Sequence, residues 1–329
     1  MQVVVVGGAG VLGQALLRAI IARGTLARGD GVAVPVQRVI SVDRHQPTRL
    51  FVDDRVEYVR AGPGTSRLMA AVMGTATDSV FHAWDGSDAG ASVGESMAAT
   101  LALVDSLRDL LYHCAVQVTT PKVVLASSYA AQSGVTGAGG AAAGLGDGAG
   151  ASQEPLDSEG LRLRVAELLL ADASRADRVD GRSVRLAPIA GGPGRVEFVG
   201  PVLAALLGGP AAHSPVELDR AWCLTSAAAA ADALLRIHDL AARPTPFAGA
   251  VYAPARAVSV AALVQAAAAL LGRPIEMPVE LLDPVVGDAL PAAPCAPPGQ
   301  VHGGPAGLFD PAPSLDQLVR QWIGDGALE

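Results

Sequence analysis

The sequence predicts an α/β fold, a doubly wound parallel sheet with a small C-terminal lobe, and three observations carry that reading. An apolar strand, Val3-Val4-Val5-Val6, runs directly into Gly7-Gly8-Ala9-Gly10-Val11-Leu12-Gly13 and then into the amphipathic stretch Gln14-Ala15-Leu16-Leu17-Arg18-Ala19-Ile20. Further short β-branched runs alternate with longer helical stretches, the pattern of a parallel sheet covered on both faces and joined by right-handed crossovers. The last third mixes helices with short strands and a Pro-rich connector over residues 291–304.

The elements follow in order. After the first strand and helix, residues 22–35 read as a long connection. Residues 38–42 form a second strand ending at Asp43-Arg44, and Val56-Glu57-Tyr58-Val59 a third. Residues 65–73 read as a helix, Ser79-Val80-Phe81-His82-Ala83 as a fourth strand followed by Trp84, and residues 92–113 as a long helix. The fifth strand is 121–127, leading to Ser128 and Tyr129. Residues 136–152 are nearly all Gly and Ala and read as a mobile loop. A helix over 155–173 and a sixth strand over 182–187 follow, with Pro188-Ile189 at its end. Beyond them, 227–240, 260–271 and 314–322 are helical. This divides the chain into a nucleotide-binding domain over 1–190 and, over 191–329, mainly a substrate lobe and lid partly interleaved with it.

Composition excludes several classes. Half of the 329 residues are hydrophobic, yet no uninterrupted apolar run reaches the length of a bilayer span, so no membrane partner is expected. The chain enters its first strand at once, which leaves no room for a signal segment and predicts a cytoplasmic protein. The three cysteines, Cys114, Cys223 and Cys295, are widely spaced and fit neither a disulfide framework nor a metal site. A net charge of −8 with no basic cluster, and Lys122 as the sole lysine, argues against nucleic acid.

The glycine-rich turn is what a dinucleotide requires. Gly7 allows the tight turn, Gly10 admits the backbone to the pyrophosphate, and Gly13 lets the helix pack on the sheet. The N–H groups around Val11 and Leu12 open the helix toward the phosphates. At the end of the second strand Asp43 suits the ribose hydroxyls of NAD(H), whereas the Arg44 guanidinium suits the extra phosphate of NADP(H). Both cofactors stay open.

The Gly-x-x-Gly-x-x-Gly spacing, Asp78-Ser79-Val80-Phe81-His82-Ala83 and Val123-Val124-Leu125-Ala126-Ser127-Ser128 together resemble the extended short-chain dehydrogenase/reductases. Glu167-Leu168-Leu169-Leu170, Val179-Asp180-Gly181-Arg182, Arg220-Ala221-Trp222, Gly249-Ala250-Val251-Tyr252 and Leu271-Gly272 continue the likeness over nearly the whole chain. It is closest to the branch containing D-erythronate dehydrogenases, and implies a Rossmann-type domain with a small substrate lobe. Strand-end residues Ala83, Trp84, Ala126, Ser127, Pro188 and Ile189 would then complete the cofactor contacts.

The family carries a Ser or Thr after the fifth strand and a Tyr-x-x-x-Lys on the next helix. Ser128 (or Ser127) matches the serine. Anchoring on Gly160 and Glu167 puts Glu159 in the tyrosine's place and Leu163 in the lysine's. Hydride addition to a ketone then lacks its usual proton donor. Tyr129 is a candidate replacement, Glu159 another if burial kept it protonated, and water a third. The fourth is a phenol on the substrate beside the carbonyl. This pattern of losses resembles the atypical reductases of aromatic polyketide antibiotic pathways. It predicts an NAD(P)H-dependent ketoreductase acting on an angucyclinone- or quinone-like aromatic ketone, as monomer or homodimer. The alternatives are a cofactor-binding sensor or scaffold without turnover, and a sugar-acid dehydrogenase. Against the last stands the loss of the usual base at Glu159 and Leu163. His82 reads as packed at a strand end, and no metal site is expected.

Overall fold

The computed structural model describes residues 1–47, 50–61, 74, 76–83, 93–131, 158–190, 221–241, 250–272 and 313–326. Seven parallel strands make the main sheet: β1 (Gln2–Val6), β4 (Arg38–Asp43), β5 (Val56–Arg60), β6 (Thr77–His82), β7 (Lys122–Ser128), β8 (Asp180–Leu186) and β10 (Val251–Tyr252). Their spatial order is β10-β8-β7-β6-β1-β4-β5. From β1 the chain first builds outward through β4 and β5, then returns to the other side of β1 with β6. The strand order therefore reverses between β1 and β6, and a crevice opens there beyond the carboxyl ends of the strands, where open α/β sheets bind ligands.

Helices α1 (Val11–Arg23) and α4 (Ala227–Asp239) cover one face, and α2 (Val93–Ala115) and α3 (Ser158–Arg175) the other. The valines of β1 show why its sequence does not alternate. Val3 and Val5 join Leu16, Leu17, Ile20, Leu234 and Ile237 in one core. Val4 and Val6 join Leu103, Leu107, Leu163 and Leu170 in the other. A strand buried on both faces must be apolar throughout.

Wherever they are described, the predicted strands appear within two residues of their expected places, and the C-terminal helix expected over 314–322 runs on to Gly326. The exception is the supposed long connection over 22–35. It folds into an antiparallel hairpin of β2 (Thr25–Ala27) and β3 (Ala33–Pro35), with Leu26 fully buried. Strands three residues long are too short for alternation to register in a sequence.

The segment after residue 190 is bound into the first. Its β10 pairs with β8, and its α4 packs on α1 in the shared core. Strands β9 (Ala221–Leu224) and β11 (Arg256–Ser259) pair antiparallel in a small second sheet, followed by α5 (Val260–Leu271) and α6 (Leu315–Gly326). A second correction concerns the cysteines. Cys114 is a buried free thiol, whereas Cys223 is disulfide-bonded. Spacing along the chain does not report the spatial approach a disulfide needs.

Among the described residues no helix is long and apolar enough to cross a membrane, and no metal-ligating cluster occurs. Trp84, the helix expected over 65–73, the loop over 136–152 and the connector over 291–304 lie outside the described residues.

Candidate active site

The glycine turn closes off β1 as its sequence requires. Gly7 has φ 83°, in the left-handed region that favours glycine, and its N–H donates to the Val42 carbonyl at 2.8 Å. A Cβ on Gly13 would stand 2.2 Å from the Gly7 oxygen and 2.6 Å from Gly8 Cα, so the helix touches the turn only because that position is bare. Gly10 is different. A Cβ there would meet only the Gly7 oxygen, at 3.5 Å, and Gly10 caps α1 with no side-chain hydrogen bond. The start of α1 therefore presents backbone N–H groups and the positive end of its dipole without a side chain in the way. Those are the features that fit a pyrophosphate.

Asp43 ends β4 beside this turn. One carboxylate oxygen accepts the Ala9 N–H at 3.0 Å and the other the His45 N–H at 2.9 Å. The acidic side chain is thus locked against the glycine turn, in the place suited to ribose hydroxyls. The neighbouring Arg44 carbonyl accepts from Arg60 at 3.1 Å. Ala83 lies just past β6, its N–H donating to the Val6 carbonyl at 2.8 Å, which places it at the switch point.

The ends of β7 and β8 form the other half of the crevice. Ala126 is half-buried, and the half-buried Ser128 accepts the Ala130 N–H on its Oγ at 3.2 Å. Ser127 points its hydroxyl elsewhere, donating to Glu167 Oε1 at 2.6 Å. Tyr129 opens a short turn (Tyr129–Ala131), is 1% exposed, and donates its phenol proton to the Ala253 carbonyl. Past β8, the Pro188 carbonyl accepts from Thr225 at 3.0 Å, and Ile189 bridges to Thr225.

Helix α3 brings the remaining candidates. A Cβ on Gly160 would lie 2.0 Å from the Ala130 oxygen, so the helix is pressed onto the turn that follows Ser128. That contact sets the register. Glu159, half-buried in the first turn, comes to the carboxyl end of β7, and one turn on, Leu163 is 2% exposed within the apolar core. Arg162 is also buried. Two turns on, Glu167 accepts Ser127, both Arg185 nitrogens at 2.8 Å, and Arg164 at 2.8 Å. Sequence reasoning quoted Glu167 without seeing this cluster. Its signal was a lone acidic residue on the buried stripe of α3 and Arg185 in the inner half of β8.

Fold and site together fit a dinucleotide-binding α/β oxidoreductase. No family model matches the chain. It is 30% identical to the D-erythronate dehydrogenase of Cupriavidus necator, over 100% of this chain and 99% of that one. The chain belongs to the extended short-chain dehydrogenase/reductase family. Solved structures share the fold: a nucleoside-diphosphate-sugar epimerase from Agrobacterium tumefaciens has a TM-score of 0.71 at 22% identity, covering 99% of this chain and 94% of its own. A dTDP-glucose 4,6-dehydratase from Streptomyces venezuelae, crystallised with NAD and TYD, has a TM-score of 0.73 at 17% identity, covering 99% and 98%.

Proposed function

We propose that this chain is an NAD(P)-dependent dehydrogenase that oxidises a hydroxyl of a small polyhydroxylated acid, with Glu159 as the base and Ser128 holding the reacting oxygen. The observation that carries the reading is the paired change on α3, with Glu159 where the family has tyrosine and Leu163, sunk in the core, where it has lysine. A phenol needs a nearby cation to ionise at neutral pH, since free tyrosine titrates near ~10. A carboxylate needs none, because a free glutamate titrates near ~4.3. Once the tyrosine becomes glutamate, the lysine has no proton-transfer task left, and an apolar residue can take its position. An ionised carboxylate accepts a proton and has none to give. That favours oxidation of an alcohol over reduction of a ketone, and it removes the argument that Glu159 counts against a sugar-acid dehydrogenase. The full-length likeness to D-erythronate dehydrogenase supports the same direction and substrate class.

Gly7, Gly10 and Gly13 would hold the pyrophosphate and Asp43 the adenosine ribose, and the bound dinucleotide would supply the hydride acceptor. The protein's own part is to align the hydroxyl at Ser128 and take its proton at Glu159. General-base contributions of this kind are worth on the order of 10²–10⁴ in rate. In steady-state assays with D-erythronate and related acids, Glu159→Gln is expected to lose turnover by about that factor while keeping dinucleotide affinity. An unchanged rate in Glu159→Gln would overturn the assignment.

A second reading draws support from one specific observation: Tyr129 is buried and donates its phenol proton to Ala253, which speaks against it as the protein acid. A reductase of aromatic ketones would then draw its proton from a substrate phenol. It would oxidise NADPH or NADH with a hydroxyquinone but not with the corresponding methyl ether.

A further inference from the structure

The cluster around Glu167 joins three separately folded pieces of the site. Ser127 stands one residue before Ser128 at the end of β7, and Arg185 stands opposite Ser127 on β8 in the paired register. Glu167 lies two turns along α3 from Glu159. Its carboxylate accepts Ser127 Oγ at 2.6 Å, Arg185 Nε and Nη2 at 2.8 Å each, and Arg164 Nη1 at 2.8 Å. Ser127, Glu167 and Arg185 are each under 5% exposed. Breaking such a dry, charge-assisted cluster from one side leaves an uncompensated buried charge, so its geometry is strongly enforced. The proposed reaction never touches Glu167, yet the cluster ties α3, two turns beyond Glu159, to the end of β7.

We propose that Glu167 is a positioning residue for the proton-transfer pair, clamping Glu159 on α3 to Ser128 on β7 through Ser127 and Arg185. The inference rests on the reading of Glu159 and Ser128 given above. The dinucleotide half of the site, Gly7 to Gly13 with Asp43, shares no hydrogen bond with this cluster among the described residues. Loosening the clamp should therefore disturb one half and spare the other.

The test uses the full chain with Glu167→Gln and the milder Ser127→Ala, which removes one neutral donor and keeps the ion pairs. Hydrogen exchange followed by mass spectrometry reads the clamp without any substrate. Exchange is expected to rise at least about tenfold in peptides covering 125–131 and 158–164, and to stay unchanged over 2–24. Dinucleotide affinity should hold within twofold while kcat falls about tenfold in Glu167→Gln, on whichever substrate the unaltered enzyme turns over. Uniformly faster exchange across the chain in Ser127→Ala would make the cluster a general brace and overturn the proposal. Unchanged exchange at 158–164 would overturn it equally. Faster local exchange combined with an unaltered rate in Glu159→Gln would instead sink the base assignment and leave the clamp standing.

Discussion

A methyl group at residue 13 has nowhere to go, with the Gly7 oxygen 2.2 Å and Gly8 Cα 2.6 Å from where it would stand. Both obstacles are backbone, so the helix must back away from the turn. Gly13→Ala should cost about 1–3 kcal/mol of stability and weaken dinucleotide binding about tenfold or more, by calorimetric melting and equilibrium titration. Gly10→Ala should leave the fold nearly intact, because a Cβ there meets only the Gly7 oxygen, at an ordinary 3.5 Å, and act mainly on binding. Gly7 and Gly13 were legible in the sequence because the turn admits only glycine at those two places. Tyr129 was not. Its place beside Ser128 suggested chemistry, but the acceptor that holds its phenol, Ala253, lies 124 positions away along the chain. The clamp at Glu167 was hidden for the same reason. Three of its members come from different elements, and no local pattern announces their meeting.

At the scale of elements, α4 repays a closer reading at its C-terminal end. His238 is fully buried there, with Nε2 2.7 Å from Ser79 Oγ and Nδ1 2.8 Å from Asp239 Oδ1, and its ring lies against Phe81. Lys122 donates to the His238 carbonyl at 2.9 Å and the Ala27 carbonyl at 3.1 Å. Arg182 donates to the His238 and Leu240 carbonyls at 3.0 and 2.8 Å. The last carbonyls of the helix are thus satisfied by two buried cations, which also complement its dipole. Burial, chiefly, holds the His238 imidazole below its ordinary range, with the cations of Lys122 and Arg182 acting the same way and Asp239 opposing. The folded protein therefore keeps it neutral while the unfolded chain takes up a proton near ~6.5. Below that pH the unfolded state binds the extra proton, so stability falls as pH drops, by up to about 1.4 kcal/mol per unit for this one group. Denaturant melts from neutral pH downward should show that slope in the unaltered protein and a flatter one in His238→Gln. Lys122→Met should melt earlier at every pH, since it orphans buried carbonyls at a cost of about 1–3 kcal/mol.

For the whole molecule, the alternation of strands and helices fixed the fold class because strands buried on both faces cannot disguise themselves. The β2–β3 hairpin escaped because its strands are three residues long, and β10 because two residues far along the chain complete the sheet edge. The site divides along the same switch point. The proposed nucleotide half, on β1 and β4, was legible in the glycine spacing and the strand-end Asp43. Its chemical half depends on how α3 seats on β7, which the contact of Gly160 with Ala130 settles. The proposed role of Glu159 rests on that seating, which brings the head of α3 against the turn after Ser128.

Oxidation of a hydroxy acid with Glu159 as the base is the function proposed for this site. The most direct measurement incubates the protein with NAD⁺ or NADP⁺ and D-erythronate, following the near-ultraviolet absorbance of the reduced nicotinamide, with Glu159→Gln in parallel. Dinucleotide reduction by the unaltered protein, lost about 10²-fold or more in the variant, is the predicted result. No reduction with any hydroxy acid, together with NAD(P)H consumption on a hydroxyquinone that survives Glu159→Gln, would contradict it.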